Sequence, residues 1–229
     1  MARVLDLLMA KEETGSTPAP VNPPVNPSSV NSSTFTIDSG IQTGDLMVLL
    51  DAATMISTSG LVVPSGFTMV SDNLETTNPR FVSSYKILTA ADAGTTLTGM
   101  TGSVASRKIL LYFRFATPVT SVSAGGVFNQ VAGSTSMSAT VIPSSAGTGS
   151  VIAIAGYRVY TAPTLSGQTT FTPAPGALPS GSFEFDAGGS GYFLASFKTF
   201  TGSPVDVTTS VIGPVDTTLT VQGFYLSVS

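Results

Sequence analysis

Few residues in this chain are equipped for chemistry. There is no histidine and no cysteine among its 229 residues. That removes the usual base near neutral pH, the Ser-His-Asp and Cys-His arrangements, thiolate nucleophiles and the commonest zinc ligand. Paired carboxylates and Ser-Lys dyads remain. Glu184 and Asp186 stand two apart in a segment of strand character, a spacing that puts both on one face and suits glycoside hydrolysis or calcium binding. The plainer account is a solvated strand face beside the Gly188-Gly189 turn, and no further acidic residue is close in sequence. Ser84 with Lys86, and Ser196 with Lys198, have the same two-residue spacing. An alternating polar face explains them more simply than a dyad does. Asp45 follows Gly44 at a turn and is expected to bond nearby backbone. No glycine-rich loop precedes a helix, so no phosphate cradle is expected. These residues lead to no enzyme, no catalytic residue, no metal and no cofactor.

Tyrosines near loops are the remaining contact candidates. Tyr157 and Tyr160 flank Arg158 at the end of an apolar segment, and Tyr192 follows a Gly-Ser-Gly turn. A tyrosine ring can stack on a sugar and its hydroxyl can bond it, and tyrosine is also favoured at protein interfaces. The competing account is that each ring completes the core.

The elements that must hold these residues are strands. Charged residues are 10% of the chain and hydrophobic ones 42%, with Ser, Thr and Gly abundant. Thr and Val suit a pleated surface and Gly suits the turns. Alternating segments run from Thr34 to Val228, bounded by turn signals such as Pro64-Ser65-Gly66 and Asp92-Ala93-Gly94. Nine basic residues against thirteen acidic, the basic ones unclustered beyond Arg107-Lys108, exclude a nucleic-acid footprint. No apolar run approaches the length of a membrane span, and the N-terminus makes a poor secretory signal.

Residues 1–15 have helical spacing of Val4, Leu5, Leu7 and Leu8, with Gly15 as a stop. A helix this short is marginal alone, so its apolar face is expected to dock on another surface, and the competing account is a frayed chain end. Residues 16–33 carry proline at nearly every other position, which predicts a stiff polyproline II linker unable to pair in the centre of a sheet. The body then repeats itself. Ser84-Tyr85-Lys86-Ile87-Leu88-Thr89 matches Ser196-Phe197-Lys198-Thr199-Phe200-Thr201, and Leu111–Phe115 matches Gly223–Ser227, both at an offset of 112 residues. Thr43-Gly44-Asp45 matches Thr148-Gly149-Ser150 at an offset of 105. The expected architecture is all-β: two tandem related antiparallel β-sandwich, jelly-roll-like units at 34–122 and 123–229, behind the helix and linker.

Three motifs in the first unit, Gly44-Asp45-Leu46, Pro64-Ser65-Gly66-Phe67-Thr68 and Tyr85-Lys86 running into Ala91-Asp92-Ala93-Gly94, resemble a module of tailed-bacteriophage structural proteins. The resemblance spans about residues 40–115, and in the second unit the Pro-Ser-Gly-Phe and Asp-Ala-Gly motifs have decayed. It implies a minor virion, tail-fibre or capsid-decoration protein, assembled in the host bacterial cytoplasm, and brings no catalytic residues with it. The expected function is a non-catalytic virion protein anchored to capsid or tail through residues 1–33. Its β units would project outward, as a homo-oligomer with a trimer favoured, and touch host-surface glycan. The alternative is a free-standing carbohydrate-binding module or glycan-active enzyme.

Overall fold

A computed structural model describes residues 20–22, 34–53, 62–72, 80–98, 106–132, 136–141, 150–159, 170–172, 180–186, 192–201, 207–212 and 219–229. The regular structure is almost entirely strand: β1 (Pro20–Asn22), β2 (Phe35–Thr36), β3 (Leu46–Ala53), β4 (Thr68–Asp72), β5 (Arg80–Ile87), β6 (Thr96–Leu97), β7 (Ser106–Phe115), β8 (Val122–Ala132), β9 (Ser136–Val141), β10 (Ser150–Val159), β11 (Thr170–Thr172), β12 (Ser180–Asp186), β13 (Tyr192–Thr201), β14 (Val207–Ile212) and β15 (Leu219–Val228). A single 3-10 turn, Ala90–Asp92, interrupts them, and there is no α-helix among the described residues. The all-β class is as expected. The docking helix and its residues Val4, Leu5, Leu7 and Leu8 lie outside the described residues.

Every strand pairing is antiparallel. A first five-stranded sheet has the order β1-β7-β3-β5-β4, and a second has β12-β13-β10-β15-β8. Read from the other edge, the second order is β8-β15-β10-β13-β12, which matches the first strand for strand. The small sheets agree as well: β2 pairs β6 as β9 pairs β14, with β11 added. Register makes the match residue-specific. Leu46 pairs with Ile87 and Phe113, and Ile152 pairs with Thr199 and Leu226. Matching strands are therefore offset by 106, 112 and 113 residues, against the 105, 112 and 112 of the sequence comparison. A one-residue slip exchanges the two faces of a strand, so these small differences decide which side chains meet.

The two large sheets lie face to face. Leu46, Val48, Leu50, Phe81, Ile109, Leu111, Phe113 and Phe115 of the first share one core with Ile152, Ile154, Phe224, Leu226 and Val228 of the second. The two halves thus pack as one body, and the expected boundary at 122/123 falls at the start of β8, where the chain passes from one sheet to the other. Both faces of the first sheet are covered. Met47, Leu49, Leu110 and Tyr112 form a second cluster with Ile37, Leu88 and Leu97 beneath the β2–β6 ribbon. This explains why Leu46–Leu50 and Ile109–Phe113 are continuously apolar rather than alternating.

Polar bridges set the two sheets against each other. Ser83 donates to the buried Gln222 Oε1 at 2.7 Å, and Gln222 Nε2 reaches Ser71 at 3.3 Å. The Tyr85 hydroxyl donates to the carbonyl of Val122 at 3.2 Å. Within the expected linker, Pro20–Asn22 pairs with Arg114 and Phe115 at the edge of the first sheet. An edge is where a proline-bearing strand is tolerated, because one side of it needs no donors.

Candidate functional site

The motifs singled out in the sequence converge on one end of the first sheet, and the structure shows what each does. At the turn before β3, Gly44 has φ +89°, and a Cβ there would lie 2.4 Å from Pro118. Only glycine fits both demands. Its amide donates to Leu88 O at 2.9 Å, and its carbonyl accepts from Val119 N at 3.1 Å. Asp45 accepts from the Gln42 amide at 2.7 Å, the local turn bond expected of it. It also holds Arg114 in a two-pronged pair, with Nε to Oδ1 at 3.0 Å and Nη2 to Oδ2 at 2.7 Å. Arg114 Nη2 donates further to Gly40 O at 2.7 Å. The bond to Asp45 raises the Arg114 pKa. Sequence reasoning missed this partner because the two residues are 69 positions apart.

The other motifs form a second clamp. Asp92 Oδ2 accepts from the Thr89 amide and hydroxyl at 2.8 and 3.0 Å, capping the 3-10 turn. Asp92 Oδ1 takes Lys86 Nζ at 2.5 Å. Burial pushes the Asp92 carboxyl up, but the bonds from Lys86 and Thr89 outweigh it and hold the group below its ordinary value. Gly66, at φ +82°, turns the chain beneath the Lys86 side chain, where a Cβ would lie 3.5 Å from Nζ. Gly94, at φ +69°, donates its amide to Ile37 O at 3.1 Å. Lys86 is therefore committed to Asp92, while Ser84 is fully buried, and the Ser84-Lys86 spacing forms no dyad. Each motif ties strand ends together.

Comparison with known protein families, curated proteins and solved structures finds no match. The likeness to phage structural modules rests on the motifs themselves.

The contact candidates lie on the second sheet. Tyr157 pairs with Leu194 and Val221, Arg158 with Phe193 and Thr220, and Tyr192 with Val159 and Asp186. Glu184 also pairs with Leu194. In backbone register Tyr157 and Glu184 are both level with Leu194, and Tyr192 is level with Asp186. Arg158 falls in the opposite register, that of Ile152 and Ile154. Tyr160 lies outside the described residues. The register thus joins the two tyrosines to the carboxylates, which sequence reasoning treated separately, and parts Arg158 from both. The matching position to Tyr157 in the first sheet is Asp51, which is buried. There is no cluster of three or more metal-ligating side chains among the described residues, and no described helix is long and apolar enough to cross a membrane.

Proposed function

We propose that this chain is a non-catalytic structural protein of a tailed-phage virion, with two sandwich-like units related by duplication and an N-terminal helix at 1–15 that docks on capsid or tail. The observation that carries the proposal is the polarity of the body. Pro20–Asn22 joins β7 at Arg114 and Phe115, the same end that holds Gly44, Leu88, Val119 and Ser229. In this reading the anchor upstream of Pro20 leads into that end, and strands of ten residues extend roughly 30 Å away from it. The use of the ionisable residues supports the same reading: Asp45, Arg114, Lys86 and Asp92 are spent on clamping strand ends. The low charge suits burial between copies, and a homotrimer in the virion is part of the proposal, with the far end free to meet host glycan.

The test is co-sedimentation with particles lacking this protein, comparing the full-length chain with its Leu5→Asp/Leu8→Asp form. The wild type is expected to pellet with particles and the variant to stay in solution with an unchanged far-UV spectrum. Equal binding by both refutes the anchor, and binding by neither refutes the virion role. Light scattering coupled to size exclusion measures the copy number.

The register that brings Tyr157 and Tyr192 level with Glu184 and Asp186 in neighbouring strands favours carbohydrate binding as the second reading. That reading predicts loss of binding on a glycan array for Tyr192→Ala, with the N-terminal variant unaffected.

A further inference from the structure

One buried charged pair takes no part in the clamps. Asp51 on β3 and Lys108 on β7 face each other directly across the antiparallel ladder. Their side chains are 3% and 2% exposed, and Lys108 Nζ lies 3.8 Å from Asp51 Oδ2. That separation is longer than a charge-assisted hydrogen bond, in contrast to the 2.7 Å of Arg114 and Asp45. A buried ion pair of loose geometry is a poor source of stability, and apolar residues of similar volume usually serve as well or better. The second sheet follows that rule at the matching position. Tyr157 pairs there with Val221 on one side and Leu194 on the other, as Asp51 pairs with Lys108 on one side and Val82 on the other. Uncharged residues thus stand at the matching positions, whereas the first sheet buries an amine-bearing and a carboxyl-bearing side chain 3.8 Å apart.

We propose that Lys108 and Asp51 condense into an intramolecular isopeptide bond. Passing one proton from the Lys108 ammonium to the carboxylate it faces across the ladder leaves the amine lone pair and the carboxylic acid that the reaction needs. Nζ adds to Cγ of Asp51, a proton from the nitrogen passes to the departing hydroxyl, the Cγ–O bond breaks and one water leaves. No oxidant or cofactor enters the balance. The product is a neutral amide in place of two buried charges, and it ties β3 to β7 in a chain without cysteine. By closing the loop between positions 51 and 108 it restricts the unfolded chain as a disulfide would.

The experiment is the intact mass of the purified, denatured full-length protein, followed by peptide mapping. The expected result is a mass one water below that of the sequence, with a branched peptide joining residues 51 and 108. The full-length Lys108→Arg protein, which keeps the charge and cannot condense in this way, is expected to regain the water. Full sequence mass in the folded wild-type protein, or a lost water that maps to other residues, overturns the proposal.

Discussion

Asp45 and Arg114 show how much of this fold hangs on single side chains. Lysine cannot reproduce the planar fork that engages both carboxylate oxygens and the Gly40 carbonyl. Arg114→Lys is expected to cost about 2 kcal/mol, the worth of a hydrogen bond to a charged group, read as a lower urea midpoint at unchanged slope. Gly44→Ala combines positive φ with a clash against Pro118 and is expected to cost at least about 2 kcal/mol. Asp92 gives a pH signature. Its folded pKa lies below the ordinary 3.8, so its stabilising effect is complete above that value and is lost as pH falls through the lower, folded one. Asp92→Asn should therefore destabilise slightly at neutral pH, by less than about 1 kcal/mol. The gap between wild type and variant should close in acid titrations of the melting temperature; a constant gap would contradict the assignment.

At the scale of elements, the decisive quantity is register. The turn motifs were legible because Gly44, Gly66 and Gly94 are needed at left-handed positions, a demand that is local and independent of the partner strand. The repeat was legible because Ser84–Thr89 and Ser196–Thr201 occupy equivalent strands, β5 and β13. The other two matches were one residue out, since similarity of residue type tolerates a slip that pairing does not. The buried bridge from Ser83 through Gln222 to Ser71 crosses between the sheets and helps fix their alignment. Gln222→Leu leaves the Ser83 hydroxyl buried without its acceptor and is expected to cost about 1–3 kcal/mol. In the double variant with Ser83→Ala much of that cost should return, and a chemical-denaturation mutant cycle measures the coupling.

For the whole molecule, one core shared by both halves means that neither large sheet can bury its apolar face alone. A single cooperative unfolding transition is expected, with equal calorimetric and van't Hoff enthalpies. Two separable transitions would show that the halves fold independently. Residues 122–229 expressed alone should expose Ile152, Ile154, Phe224 and Leu226 and bind a hydrophobic dye.

The sequence by itself determined the all-β class and the turns at Gly44, Gly66 and Gly94, because strand propensity, alternation and positive-φ glycines act over a few neighbouring residues. Tertiary structure alone decided that the halves meet as facing sheets, that Arg114 grips Asp45, that Pro20–Asn22 closes an edge, and that Lys108 lies buried against Asp51. Each of those depends on residues far apart in the chain, and periodicity carries no information about which face meets which. Low charge left the sequence with few pairs to choose among, yet the choice among them was made by packing.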